Sequence, residues 1–187
     1  MNLIITISGL HGTGKSTYAR RIASEFKLHH ISTGELFRKI AAERGVSLSQ
    51  LSQEADSNEE IDRLIDEKTN KEIAKGGVVV DGLLAGWTAR RYVAIKIYLA
   101  TPFESRIVRI ARRDSISIKE AEKATLLREG IERRRFKRLY SIDIDDLSIY
   151  DLILNTDLLS AESNIKIICL LIKEYIEIYG GKKNVYV

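Results

Sequence analysis

The sequence is poor in the residues that build disulfide frameworks, metal clusters and long loops. It holds one cysteine, one proline, one tryptophan and one methionine among 187 residues. A single thiol, Cys169, excludes an intrachain disulfide, and no Cys/His spacing suited to a zinc site can be built around it. Cys169 lies in an apolar helical stretch and reads as a packing residue; the thiol-poor composition points to a cytoplasmic location. No apolar run approaches the ~20 residues needed to cross a bilayer, so no membrane partner is expected. The N-terminus has no basic stretch ahead of an apolar one, as a signal peptide requires. Repeats, low-complexity tracts and linkers are absent too, which leaves one domain.

What the chain does have is an ordinary globular composition, 44% apolar and 30% charged, at a length that supports one well-cored domain. The formal net charge of +4 is unevenly spread. Residues 106–138 carry twelve Lys/Arg against five Asp/Glu, leaving the remainder of the chain slightly acidic. Such a concentration suits either nucleotide phosphates or a nucleic acid backbone. Aromatic residues for stacking single-stranded bases are sparse there, with only Phe136 and Tyr140 in or beside the segment. A solvated helix laced with i,i+4 pairs accounts for many of the individual charges.

The strongest local signal is Gly9-Leu10-His11-Gly12-Thr13-Gly14-Lys15-Ser16, a complete G-x-x-x-x-G-K-[ST] motif, followed by Thr17. Four fixed positions coincide by accident in only about 1% of chains of this length. The context is also right. Residues 3–7 form an apolar, β-branched run suited to a buried strand, and Tyr18, Ala19, Ile22, Ala23 and Phe26 follow at helical spacing. A strand, a glycine loop and a helix N-terminus aim backbone N–H groups at an anion. Lys15 is placed to reach the β/γ-phosphates of a nucleotide and Ser16 to ligate Mg²⁺.

Further along, the pattern predicts a short strand at 29–31 and helices over 33–44, 48–55 (capped by Ser47) and 58–74. Gly76-Gly77 stops the last of these before a buried strand, 78–81, that ends in Asp81. A strand at 95–99 precedes a capping box at Thr101–Glu104 with Pro102 at the first helical position, opening a helix to about residue 113. Ser117 and Glu120 form a second capping box, opening a long basic helix to about residue 139. A strand at 152–154 and a helix over 161–179 complete the chain. Alternating strands and helices imply a parallel sheet covered on both faces, with the site at the strand C-termini. Asp81 then lies near the loop, where an acid orients a water on Mg²⁺ or caps a turn before Gly82.

The long basic helix can be sorted at about 100° per residue. Arg128 and Arg135 fall together beside Ala124, Ile131 and Leu139, with Glu132 at nearly the same angle. Arg133 and Glu129 project toward water, and Arg134 and Arg138 lie between. Two inward arginines are costly without an anion, and Glu132 neutralises only one, so both are read as reaching into a cleft for phosphate oxygens.

With these residues in hand, the chain resembles the nucleoside monophosphate kinases, most closely the archaeal-type cytidylate kinases. The resemblance runs along essentially the whole length: the loop Gly9–Thr17, Ile31-Ser32-Thr33-Gly34-Glu35-Leu36-Phe37-Arg38, Asp81-Gly82-Leu83-Leu84-Ala85-Gly86-Trp87, the helix around Arg128–Phe136, and the stretch 142–151. It implies a P-loop fold, three layers α/β/α on a five-stranded parallel sheet, in one domain over 1–187, with monophosphate-binding helices at 33–75 and a short lid at about 112–120. Arg38, with Thr33, is implied as the clamp on the acceptor phosphate. Arg109, Arg112 and Arg113 resemble the lid that closes over ATP, with Arg112 or Arg113 reaching the transferring group. Arg128, Glu132 and Arg135 match the family's R-x-x-x-D-x-x-R spacing, with Glu for Asp, where the arginines hold phosphates and the acid contacts acceptor ribose.

Two positions depart from the family. Leu83 stands where Arg is frequent, a contact that Arg90 or Arg91 is placed to supply; His11 stands where Pro is usual, and it and His29 and His30 have no partner visible in the sequence. Trp87 and Tyr92 read as packing. The implied activity is phosphorylation of CMP and dCMP by ATP with Mg²⁺, catalysed by Lys15, Arg112, Arg128 and Arg135 in a monomer that binds no nucleic acid. AMP or UMP phosphorylation, and nucleotide-dependent RNA binding, are the alternatives.

Overall fold

In a computed structural model the described residues are 3–179, so the two ends of the 1–187 domain expected from sequence lie outside them. Five strands carry the fold: β1 (Ile4–Ser8), β2 (His29–Ser32), β3 (Val78–Asp81), β4 (Ile95–Ala100) and β5 (Leu152–Asn155). They form one parallel sheet in the order β2-β3-β1-β4-β5. β1 is buried throughout and lies at the centre, which is why its sequence is a continuous apolar and β-branched run.

Alternate residues of β1 serve opposite faces. Ile5 and Ile7 pack with Val79, Ile97 and Leu99 against α1 (Lys15–Phe26) and α8 (Ala161–Tyr179), where Cys169 is buried. Ile4 joins Val78 and Val80 on the other face, under Ile73 of α4 (Glu60–Lys75), Ala85 of the one-turn helix α5 (Ala85–Thr88), and Ala89. The three-layer arrangement expected from the alternation of elements is thus present. Tyr92 packs beside the second core, as read from the sequence.

Two helical additions rise from the sheet's C-terminal edge. α2 (Thr33–Arg44) and α3 (Leu48–Ser57) pack with α4 around a small core of their own, made by Phe37, Ala41, Leu51, Ala55, Ile61 and Ile65. Ser47 and Gln50 close a capping box at the start of α3. On the other side, α6 (Phe103–Asp114) packs on α7 (Ile118–Tyr140) through Ile107, Ile110, Ala111 and Ala121, and the turn between them is three residues long. The far end of α7 packs against Trp87, Leu83, Ile142 and Ile144.

One expected cap is not formed. α7 starts with the Ser117/Glu120 capping box predicted for it. α6 starts instead after Pro102, with no side-chain cap. Thr101 turns its hydroxyl to Thr156 at 2.6 Å, because β4 and β5 end side by side there and their hydroxyls meet before the helix begins.

Candidate active site

The glycine loop bridges β1 and α1 at the C-terminal end of the sheet. Its glycines are dictated by crowding. Gly9 and Gly12 have φ of +146° and +83°; a Cβ on the first would lie 2.5 Å from the Leu99 carbonyl oxygen, and on the second 2.7 Å from that of Arg106. Thr13 is buried and donates to the Leu10 carbonyl at 2.9 Å. Lys15 Nζ donates to the carbonyls of Gly9 and Leu10 at 2.8 and 2.9 Å, so it is held over the loop. Burial lowers its pKa to about 8, with Asp81 and Glu132 opposing the shift.

Asp81 ends β3 next to β1 and is 1% exposed. Ser16 and Ser32 both donate to its Oδ1 at 3.0 Å, and His30 Nε2 lies 2.7 Å from Oδ2. His30 therefore has a partner, which the sequence hid because the contact crosses two strands. The donor set of one carboxylate and two hydroxyls suits a hard cation such as Mg²⁺. Among the described residues no group of three or more His, Cys, Asp or Glu could hold a metal by itself.

From the loop a cleft of about 520 Å³ runs between the α2–α4 unit and α7. It is lined at one end by His11, Lys15 and Ser16, in the middle by Thr33, Arg38, Arg113 and Arg128, and further along α7 by Arg135, Phe136 and Tyr140. Arg38 has no hydrogen bond or ion pair among the described residues. Burial lowers its pKa, and Arg113 and Arg128 add to the effect as like charges. Three guanidinium groups thus converge on one part of the cleft. Arg128 lies over the Phe37 ring, 5.1 Å from its centroid, and its Nε donates to Glu132 Oε1 at 2.9 Å.

Several expectations change here. Arg112 does not line the cleft, whereas Arg109 and Arg113, exposed like it, do, since they lie four residues apart on one face of α6. Arg135 lines the cleft, yet its charge already meets Asp62, Nε to Oδ2 at 3.1 Å, and it donates to the Ser52 carbonyl. Glu129 is buried, not solvated: it takes both terminal nitrogens of Arg106, at 2.6 and 3.3 Å. Arg133 bonds Asp145 at the surface. Leu83 lines the cleft, and neither Arg90 nor Arg91 replaces the family's arginine there, because both are exposed outside it. His11 has a partner too: its Nε2 lies 2.6 Å from Glu132 Oε2. The carboxylates Asp62 and Asp66, both lining the cleft, went unnoticed in the sequence because they sit on a helix rich in ordinary surface charge.

A phosphate loop, a sheet-end aspartate and a cationic pocket, on a parallel sheet ordered 2-3-1-4-5, define a P-loop phosphotransferase. The solved structures agree on fold: a shikimate kinase from Bacteroides thetaiotaomicron superposes with a TM-score of 0.58 at 16% identity, over 94% of this chain and 98% of that one. The cytidylate kinase-like family matches residues 4–158. A cytidylate kinase of Staphylothermus marinus is 46% identical over 94% of this chain and 97% of its own, and one of Ignicoccus hospitalis 44% identical over 88% and 96%. The chain belongs to the cytidylate kinase-like family.

Proposed function

We propose that the chain transfers the γ-phosphoryl group of ATP to CMP, and to dCMP, giving ADP and the cytidine diphosphate. The observation that carries this reading is one cleft lined by the glycine loop and, apart from it, by Arg38, which makes no ion pair among the described residues, beside Arg113 and Arg128; it suits two phosphates. A hydrolase or a simple nucleotide switch needs only the first. The relatives named cytidylate kinase point the second site to a cytidine monophosphate.

In this reading the loop amides and Lys15, on leaving the Gly9 and Leu10 carbonyls, take the donor phosphates. Ser16 would ligate Mg²⁺ and Asp81 would hold its waters; when bound, the ion would supply charge neutralisation for the phosphoryl group in transfer. Arg38 and Thr33 hold the acceptor phosphate, with 33–75 as the acceptor-binding part and the α6–α7 turn near 112–120 as a short lid carrying Arg113. An acceptor phosphate oxygen attacks the γ-phosphorus while the bond to the β–γ bridging oxygen breaks and ADP leaves. The acceptor is already an anion, so no general base is needed, and positioning and charge supply the catalysis. Along the cleft, Phe37, Ile65 and Phe136 offer apolar faces for a base, and Asp62 and Asp66 offer acceptors for the 4-amino group of cytosine.

The basic segment 106–138 gives little support to nucleic acid binding, since seven of its arginines have acidic partners within the chain. The test is product analysis by phosphorus NMR with Mg–ATP and CMP. Equal amounts of ADP and CDP are expected; ADP and inorganic phosphate without CDP would contradict transfer.

A further inference from the structure

The phosphate loop is fastened to the arginine-bearing helix through one residue. His11 donates its backbone N–H to Glu129 Oε1 at 3.2 Å and accepts from Arg106 at its carbonyl at 2.8 Å. Its ring meets Glu132 Oε2 at 2.6 Å. The two backbone contacts come from the buried Arg106–Glu129 pair and tie the loop at His11 to α6 and α7, so the ring moves with the loop. An ionised carboxylate only accepts, so the ring's Nε2–H donates to Glu132; burial lowers the His11 pKa, and Glu132 opposes that shift.

This arrangement decides how Glu132 treats Arg128. A carboxylate facing a guanidinium favours a two-oxygen fork, which would occupy its terminal amines. Here one carboxylate oxygen is taken by His11, and the other accepts only from Arg128 Nε. Among the described residues the terminal amines of Arg128 have no hydrogen-bond partner, and the guanidinium carbon lies 5.1 Å from the Phe37 ring centroid. They are free to face an anion in the cleft.

We propose that His11 is a positioning residue that couples the two halves of the cleft: by holding one oxygen of Glu132 it keeps Arg128 open for the acceptor phosphate. The inference rests on the kinase reading above. Because His11 belongs to the loop that wraps the donor phosphates, filling that loop steadies the ring, and through Glu132 it presets Arg128. Donor and acceptor then bind cooperatively, by a route that runs through two side chains. Losing the ring frees Glu132 to fork Arg128 and compete with phosphate.

The experiment is calorimetric titration with CMP, alone and with a non-hydrolysable ATP analogue plus Mg²⁺, for wild type, His11→Ala, His11→Gln and Glu132→Gln. The wild type is expected to bind CMP about fivefold or more tightly when the analogue is present. In His11→Ala that ratio is expected to fall to within about twofold of unity, and in His11→Gln, which keeps an N–H donor, to recover most of its value. On a Glu132→Gln background, adding His11→Ala is expected to change CMP affinity no further, because the competing carboxylate is gone. An unaltered ratio in folded His11→Ala, or equal losses from His11→Ala on both backgrounds, overturns the proposal, as does a wild type with no coupling. A wild type that binds the analogue but not CMP overturns the functional reading instead, so the two failures are distinct.

Discussion

Arg38 and Asp66 both line the cleft in the part proposed for the acceptor, and among the described residues neither makes an ion pair. Arg38→Ala should remove the acceptor clamp and leave the loop intact. Its expected effect is a rise in KM for CMP of about a hundredfold, as for a lost charge-assisted contact of ~3 kcal/mol, with ATP affinity within about twofold. Steady-state kinetics with each substrate varied in turn would show the split. Asp66 lines the cleft and accepts from Tyr140 at one oxygen, Oδ2, at 2.6 Å. Asp66→Asn replaces an acceptor by an amide that also donates, so discrimination between the 4-amino group of CMP and the 4-carbonyl of UMP should narrow by about tenfold or more. Competition between CMP and UMP measures it, and an unchanged preference would move base reading elsewhere. The loop residues, Arg128 and Asp81 could be named from spacing and strand context, and Arg38 from the family resemblance. Their partners could not: His11 and Glu132 are 121 positions apart, and helix angle says which way a side chain faces, never what meets it. Arg135 was read as needing a phosphate for the same reason, when Asp62 of α4 already answered it.

At the scale of elements, α7 is the spine on which the loop, α6 and the α2–α4 unit are all hung. Arg106 of α6 joins three of these parts: it is 4% exposed, holds Glu129 of α7 and donates to the loop at His11. Arg106→Ala leaves a buried carboxylate unpaired and frees the loop carbonyl. A loss of about 3 kcal/mol in unfolding free energy is expected, read from urea denaturation, together with weaker ATP binding. A loss under ~1 kcal/mol would mean that the pair contributes little. The element pattern itself was plain in the sequence, because buried strands here are continuous apolar runs and α3 and α7 open on capping boxes. Two features were not. The capping box at Thr101 failed because a hydroxyl on a neighbouring strand competed for the same side chain. Glu129 was assigned to water because angular sorting treats a helix as having one buried side, and α7 is covered on more than one, by α6, the loop and α3.

For the whole molecule, pH dependence follows from the acids gathered behind the cleft. Asp62 is buried, its pKa raised from an ordinary 3.8 to about 6 by burial, against Arg135 and with help from Asp66 and Glu132. Arg135 Nε lies close to Asp62 Oδ2 without the alignment of a hydrogen bond, which is why burial prevails. Between pH 4 and 6 the folded protein therefore holds a proton that the unfolded chain has released, so Asp62's contribution to stability is full below about pH 4 and fades as pH rises through 6. Urea unfolding at several pH values should show that decline in the wild type and lose it in Asp62→Asn. A rise in stability from this carboxyl over the same window would show instead that Arg135 holds it ionised.

The central claim is that the two-ended cleft moves phosphate from ATP to a cytidine monophosphate. The most direct measurement is initial-rate ADP formation from Mg–ATP with CMP, dCMP, UMP, AMP and GMP compared one by one. Turnover led by CMP and dCMP is expected. Turnover led by AMP or UMP would contradict the base assignment, and none with any monophosphate would contradict the account as a whole.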